Sequence, residues 1–129
     1  MRILGLDHGS ARCGAAVSDP SGTIVTPIDP ISPPDPAAVA KVAVSREAEL
    51  IVVGLPVGLD GTEGKQAAAA RSFAGRVAAL VDVPVETYDE RLTTRMAGAS
   101  RREGSRAAED SLAAAHLLDS YLVSVQARQ

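Results

Sequence analysis

Three carboxylates that lie far apart in the sequence could act together on metal ions. Asp7 stands in GLDHGSARCG, Glu90 in YDERLTT and Asp110 in EDSLAAAHLLDSYL. Carboxylate oxygens are the donors that Mg²⁺ and Mn²⁺ prefer. Two such ions about 4 Å apart can activate a water and stabilise the leaving oxygen of a displacement at phosphorus. If the fold gathers the three side chains, they would be both metal ligands and catalytic residues of an enzyme that cleaves phosphodiester bonds.

Each of these carboxylates also has an ordinary structural interpretation. Asp7 precedes a glycine turn and could hydrogen-bond its own backbone there. Asp89 could be the N-cap of a following helix, with Glu90 in its first turn, where negative charge suits the helix dipole. Asp110 could simply cap the last helix. The residues alone leave both interpretations open.

The elements that would position these residues follow from the hydrophobic pattern. RILGLD, CGAAVSD and TIVTPIDPI read as three strands joined by turns, with Pro27 and Pro30 favouring an edge position for the third. LIVV is typical of a strand that is covered on both faces, and VPVETYD of a fifth strand. Helices are expected at residues 37–48 (after an N-cap at Asp35), 63–81 (capped by Thr62 or Asp60), 91–103 and 110–126.

The order βββαβαβαα predicts an α/β fold. Three hairpin-connected strands followed by crossovers give a mixed five-stranded sheet with helices on both faces. Asp7 would end the first strand and Glu90 would follow the fifth, at the edge where open α/β sheets bind ligands. Asp110 begins the apolar stripe of the last helix, so it should also face an interior crevice.

Length and composition exclude several classes of protein. The 129 residues suit one domain, residues 1–129. Aromatic residues make up only 2%, too few for the stacking platforms of RRM or OB nucleic-acid binders. No apolar run is long enough to span a membrane and no signal peptide is evident, so we expect a cytoplasmic protein without a membrane partner.

Charge is unevenly distributed along the chain. The net charge is −3, so no global positive field would attract a polyanion. Residues 91–106, however, carry five arginines and one acid, Glu103. These arginines are candidate nucleic-acid contacts, although a solvated helix face would look the same: Arg91, Arg95, Arg101, Arg102 and Arg106.

The remaining reactive side chains have simpler explanations. His8 adjoins Asp7 but should point to the opposite side of the strand. His116 lies in the middle of an apolar helix, where a structural role is expected. Cys13, the single cysteine, excludes an internal disulfide and stands in the apolar run CGAAV, which favours burial over catalysis.

Four sequence blocks together resemble the YqgF family, also called RuvX-type proteins. They are GLDHGSARCGAAVSD, IVVGLPVGLDGTEG, VETYDERLTT and EDSLAAAHLLDSYL, in family order over nearly the whole chain. The resemblance implies a ribonuclease H-like fold and a nuclease that uses Mg²⁺ or Mn²⁺ to process the 5′ end of precursor 16S rRNA. It places the family's three acidic residues on Asp7, Glu90 and Asp110.

The resemblance also implies that the loop at residues 54–61 contacts the nucleic-acid backbone, through Gly54, Pro56 and Asp60. Two features differ from the family pattern. Gly58 stands where the family usually has Asn, and the stretch between DERLTT and EDSL is short and poor in lysine. The arginine cluster could supply the missing positive charge.

Other functions fit the same residues. A Holliday junction resolvase-like DNA endonuclease would need paired active sites, and a ribosome-assembly factor could bind RNA without cleaving it. An ATPase of the actin-like type shares the Asp7 loop but places its nucleotide between two such domains. We expect a monomer or homodimer whose partner is nucleic acid, precursor rRNA before branched DNA.

Overall fold

The computed structural model describes residues 1–93 and 111–127. The elements are β1 (Ile3–His8), β2 (Cys13–Ser18), β3 (Val25–Ile31), α1 (Pro36–Ser45), β4 (Leu50–Leu55), α2 (Lys65–Ala78), β5 (Val85–Asp89), a 3₁₀ turn (Glu90–Leu92) and α3 (Leu112–Ala127). Of the helix expected over residues 91–103, Arg91 and Leu92 lie in this 3₁₀ turn, Thr93 is extended, and residues 94–103 lie outside the described part. No helix in the described part is long and apolar enough to cross a membrane.

The five strands form one mixed sheet in the order β3-β2-β1-β4-β5. β1 pairs antiparallel with β2, and β2 with β3. β4 runs parallel to β1, and β5 parallel to β4, each after a helical crossover. The predicted α/β fold, with three antiparallel strands followed by alternating helices and strands, is confirmed.

Helices cover both faces of this sheet because side chains alternate along each strand. Leu4 and Leu6 of β1 pack on one face, in a core that includes Phe73 of α2. Ile3 packs on the other face, in a core that includes Leu118 of α3. Since Asp7 has the same parity as Ile3, its side chain belongs to the face that α3 covers.

The edge position of β3 and the N-cap of α1 agree with the prediction from the sequence. β3, which contains Pro27 and Pro30, lies at one edge of the sheet, where a missing N–H is tolerated. Asp35 caps α1 by accepting a hydrogen bond from the Ala37 backbone at 3.1 Å. The helix ends at Ser45, earlier than expected, and Glu47 adopts a left-handed conformation with φ 57°.

The predicted caps of α2 are wrong. Asp60 accepts hydrogen bonds from the Thr62 backbone at 3.0 Å and the Thr62 hydroxyl at 2.7 Å. Both side chains are therefore used within the loop, and the N-cap is Gly64, which has no side chain to donate or accept. As a result α2 begins at Lys65 and ends at Ala78, inside the expected bounds of 63–81.

Ser111 anchors the start of α3 to the sheet. Its side chain is fully buried at a register shift in the pairing of β2 with β3. The hydroxyl accepts a hydrogen bond from the Ala15 backbone at 3.1 Å and donates one to the Ile28 carbonyl at 2.5 Å. Farther along, a Cβ on Gly5 would lie 3.2 Å from the Leu118 Cβ, so α3 packs directly on the backbone of β1.

Replacing Ser111 with alanine should lower the free energy of unfolding by about 1–3 kcal/mol, because it leaves a buried N–H and a buried carbonyl without their partner. Urea titration of the purified protein measures this. Ser45→Ala is the control, since its hydroxyl is exposed and it should change stability by less than about 0.5 kcal/mol. Equal effects of the two substitutions would contradict the anchoring role.

Candidate active site

Asp7, Gly54 and Glu90 lie at the carboxyl ends of three neighbouring strands. Asp7 and Gly54 are the penultimate residues of β1 and β4, and Glu90 follows β5 directly. The parallel register pairs Leu6 with Val53 and Gly54 with Tyr88, so the strand ends are level. The structure thus brings two of the three predicted acidic residues to the ligand-binding edge of the sheet.

The Asp7 and Glu90 side chains meet, whereas His8 points away. The two carboxyls are close enough that the charge of Asp7 and a hydrogen bond to it both raise the pKa of Glu90, after the larger effect of desolvation. The His8 ring packs against Phe73 on the opposite face, with ring centroids 4.5 Å apart. Burial and the nearby Arg76 lower the pKa of His8, with a smaller opposing effect from Asp7.

Glu90 reaches this position because residue 54 has no side chain. A Cβ on Gly54 would lie 2.6 Å from Oε2 of Glu90 and 3.2 Å from its Cγ. Cβ atoms do not approach other atoms at 2.6 Å, so the Glu90 carboxylate lies over the bare backbone of Gly54. The first glycine of the GLP sequence therefore admits Glu90 to the site.

The electrostatics of the pair suit a hard cation. The pKa of Glu90 is raised to about 7, chiefly by desolvation. The charge of Asp7, the hydrogen bond to Asp7 and the charge of Asp89 contribute in decreasing order. Two carboxyls in contact resist simultaneous ionisation, and a divalent cation with oxygen ligands would relieve that repulsion. Within residues 1–93 and 111–127 no group of three or more potential ligands occurs. The pair thus supplies two of the three predicted ligands.

Asp89 has the capping role that the sequence allowed. Its carboxylate accepts hydrogen bonds from the Arg91 backbone at 2.9 Å and from the Arg91 guanidinium at 2.7 Å. These contacts lower the pKa of Asp89. Glu90 is the first residue of the same 3₁₀ turn. The two adjacent carboxylates therefore have different roles, because Asp89 caps the turn and Glu90 enters the site.

Two cavities flank the pair, and both are lined by Asp7 and Glu90. One, of about 160 Å³, lies against α3 and is completed by Thr93, Ala113, His116 and Leu117. The other, of about 270 Å³, lies against the start of α2. The carboxylates therefore sit between two open spaces rather than at the bottom of a single pocket.

The loop at residues 54–61, which begins with the sequence GLP, folds beside the site. Pro56 lines the larger cavity. The Thr62 hydrogen bonds lower the pKa of Asp60, so it is a carboxylate occupied in holding the loop closed. A Cβ on Gly58 would lie 3.0 Å from the Thr62 hydroxyl, which leaves little room there for a larger residue.

Five of the predicted site residues lie outside the described residues: Asp110, Arg95, Arg101, Arg102 and Arg106. Of the arginine cluster, only Arg91 is described. It is exposed and forms an ion pair with Asp89 at 2.7 Å.

Cys13 is fully buried in the core, as expected. Burial, with a smaller contribution from Asp7, raises the pKa of its thiol to about 12. The thiol is therefore not a nucleophile at neutral pH.

Several residues that line the cavities had no predicted role in the site. His116 is buried in the wall of the smaller cavity, and Lys65 lines the larger one. The helical spacing offered a signal for His116, because it follows Ala113 by three residues and so lies on the same side of α3. No local pattern marks Lys65, since its position depends on how the loop before α2 folds.

Gly54→Ala should displace the Glu90 carboxylate and weaken divalent-metal binding by about 10-fold or more, a loss typical of altered ligand support. Calorimetric titration with Mn²⁺ measures this. Gly75→Ala is the matched control, because no atom lies within 4 Å of a Cβ there and alanine favours a helix interior. Unchanged Mn²⁺ affinity in Gly54→Ala would contradict the close contact with Glu90.

The raised pKa of Glu90 also predicts how stability depends on pH without divalent metal. Because the folded protein holds this proton more tightly than the unfolded chain, the contribution is full below about pH 4.5 and is lost as pH rises through about 7. After allowance for partial exposure, the free energy of unfolding should fall by about 1–2 kcal/mol between pH 5 and pH 8 relative to Glu90→Gln. Urea titrations in a chelating buffer give the free energy of unfolding of both proteins at each pH. If it changes with pH in parallel in the two proteins, the raised pKa of Glu90 is refuted.

Comparison with known proteins places this geometry in a family. The family model described as "RuvX: Holliday junction resolvase" matches residues 1–124. A protein of Anaeromyxobacter dehalogenans named "Putative pre-16S rRNA nuclease" is 42% identical over 133 residues, covering 95% of this chain and 96% of its own. A Nocardioides protein of the same name is 44% identical over 111 residues, covering 80% and 71% of the two chains.

Solved structures agree on the fold. The structure titled "T. thermophilus RuvC in complex with Holliday junction substrate" superposes with a TM-score of 0.64 at 16% identity, covering 98% of this chain and 96% of the other. A further Thermus thermophilus RuvC structure gives a TM-score of 0.63 at 17% identity. The predicted ribonuclease H-like fold is therefore confirmed. On the family match and the identity to its relatives, this chain belongs to the RuvX family of nucleases, hydrolases that act on phosphodiester bonds.

Proposed function

We propose that this chain is a divalent-metal-dependent nuclease that processes the 5′ end of precursor 16S rRNA. The observation that carries the proposal is the contact between the Asp7 and Glu90 carboxyls over the bare backbone of Gly54. Such a pair is unfavourable without a cation and well suited to one. The names of the relatives support precursor 16S rRNA as the substrate.

Asp7 and Glu90 would hold Mg²⁺ or Mn²⁺, with Asp110 as the third ligand on the family resemblance. When bound, the metal would supply an activated water and neutralise charge at the scissile phosphate. Without the cation, the two acidic side chains would repel a phosphate. Cation binding and substrate binding should therefore be coupled.

The protein's own residues set the geometry of the reaction. Gly54 leaves space for Glu90, and the register of β1, β4 and β5 brings the two carboxyls together. Leu117 of α3 forms an apolar wall on one side of the pair.

The substrate would cross the carboxylates as an extended strand. Cavities on both sides of the pair leave room for nucleotides before and after the cut bond. Arg91 lies exposed beside the site and forms an ion pair with Asp89. A phosphate can accept the same two parallel hydrogen bonds from a guanidinium as a carboxylate does, so it could replace Asp89 as the partner of Arg91. Arg95, Arg101, Arg102 and Arg106 are proposed to add nonspecific attraction. Gly54, Pro56 and Asp60 of the loop are proposed to contact the nucleic-acid backbone.

A second candidate is cleavage of branched DNA, which the family's description as a Holliday junction resolvase favours. Symmetric cleavage of a four-way junction requires two active sites in one assembly. A protein that is monomeric at the concentrations at which it cleaves would exclude this function. The proposed rRNA nuclease needs only one site and works as a monomer or a homodimer.

Asp7→Asn should lower cleavage by at least about 100-fold, because it removes one charged ligand from the metal site. The assay compares a precursor 16S rRNA fragment with a four-way DNA junction, each with Mg²⁺ and with Mn²⁺. Asp29→Asn, on the exposed side of edge strand β3, is the control and should retain full activity. Equal activity of the two variants would refute the site, whereas RNA binding without cleavage by the wild type under either metal would favour a non-catalytic assembly factor.

A further inference from the structure

The cavity of about 270 Å³ next to α2 has a composition that the metal site alone does not explain. It shares Asp7 and Glu90 with the metal site, but its remaining wall carries hydrogen-bond donors. These donors are the ammonium of Lys65, the amide of Gln66 and the hydroxyl of Ser10. All three side chains are exposed, so they are accessible to a ligand that enters from solvent.

Lys65 has no ion-pair partner within the described residues, whereas Arg71 and Arg91 each have one. Arg71 holds Glu63 at 2.7 Å, and Arg91 holds Asp89 at the same distance. No carboxylate in residues 1–93 or 111–127 lies within 4 Å of the Lys65 ammonium. Its positive charge is therefore available to an anionic ligand in the cavity.

Helix stability does not account for a lysine at this position. Lys65 is the first residue of α2, where the helix dipole disfavours positive charge. The first turn of α2 contains no acidic residue, and the N-cap Gly64 offers no side chain. The lysine thus stands where it is mildly unfavourable for folding and where an anion would compensate it.

The two cavities beside the carboxylates also differ in charge. The cavity against α3 is completed by Thr93, Ala113, His116 and Leu117, with no lysine or arginine among its described lining residues. The cavity against α2 contains Lys65. Among the described lining residues, a strand that crosses the carboxylates would therefore meet a lysine or arginine only in the cavity against α2.

We propose that the α2 cavity is a subsite for the phosphate that neighbours the scissile phosphate, with Lys65 as its cationic ligand and Ser10 and Gln66 as hydrogen-bond donors. The ligand class is a phosphodiester of the nucleic-acid backbone. The subsite rests on the proposed function, since it assumes that the scissile phosphate lies at Asp7 and Glu90. It places one of the two neighbouring phosphates on the side of α2.

Salt dependence of binding measures the contact without requiring cleavage. The probe is a short single-stranded RNA that spans the 5′ end of 16S rRNA, bound in Ca²⁺ and followed by fluorescence anisotropy. One lost phosphate contact should reduce the slope of log K against log salt by about 0.7 and weaken binding about 5-fold at 0.1 M salt. Lys65→Ala should show both effects.

The chain offers matched controls. Lys41 is exposed on α1 and is the only other lysine, so Lys41→Ala removes the same charge away from the cavity and should leave the slope unchanged. Lys65→Arg keeps the charge and should retain most of the affinity. Thermal unfolding should show Lys65→Ala to be as stable as the wild type or slightly more so. Equal slopes for Lys65→Ala and Lys41→Ala would overturn the subsite.

Neutral methylphosphonate linkages locate the contact on the substrate. In the wild type, one linkage next to the cut bond should weaken binding about 5-fold, and in Lys65→Ala the same linkage should have no further effect. Equal losses in the two proteins would overturn the proposal. Failure of the proposed function is distinguishable, because it would appear as cleavage that survives Asp7→Asn, whatever the binding slopes show.

Discussion

The active site depends on holding two carboxyl groups in contact. Asp7 and Glu90 meet in a half-buried position where desolvation and mutual repulsion both oppose their ionisation. No isolated strand or turn would keep them there. The contact persists because Asp7 projects from β1 and Glu90 from the turn that follows β5, and two buried cores fix the register of that sheet. The energy spent on this placement makes the site receptive to a divalent cation.

The rest of the fold can be understood as support for that contact. Gly54 leaves the space that Glu90 occupies, and Asp89 fixes the turn from which Glu90 projects. On the other side, α3 packs on Gly5, and Ser111 ties its first residues to β2 and β3. The walls of the site are thus built from close backbone approaches and buried hydrogen bonds, which maintain geometry better than exposed loops.

The sequence predicts the features that depend only on residues close together in the chain. The apolar run before Asp7 predicts a buried strand ending on a carboxylate, and Asp35 before Pro36 predicts the start of α1. The predicted N-cap of α2 is wrong because the Asp60 and Thr62 side chains hydrogen-bond within the loop instead. Which of Asp89 and Glu90 enters the site depends on the space over Gly54, which belongs to a different strand, β4. The partners of Ser111 are 83 and 96 residues away, and no local pattern could reveal them.

The central claim is that Asp7 and Glu90 together hold a divalent cation. Crystals grown without metal and then soaked in Mn²⁺ test it directly, through an anomalous difference map recorded at the manganese absorption edge. The account predicts a peak within coordination distance of one carboxylate oxygen from each residue, absent in crystals of Asp7→Asn. No peak between the two carboxylates, at a Mn²⁺ concentration that supports cleavage in solution, would contradict it.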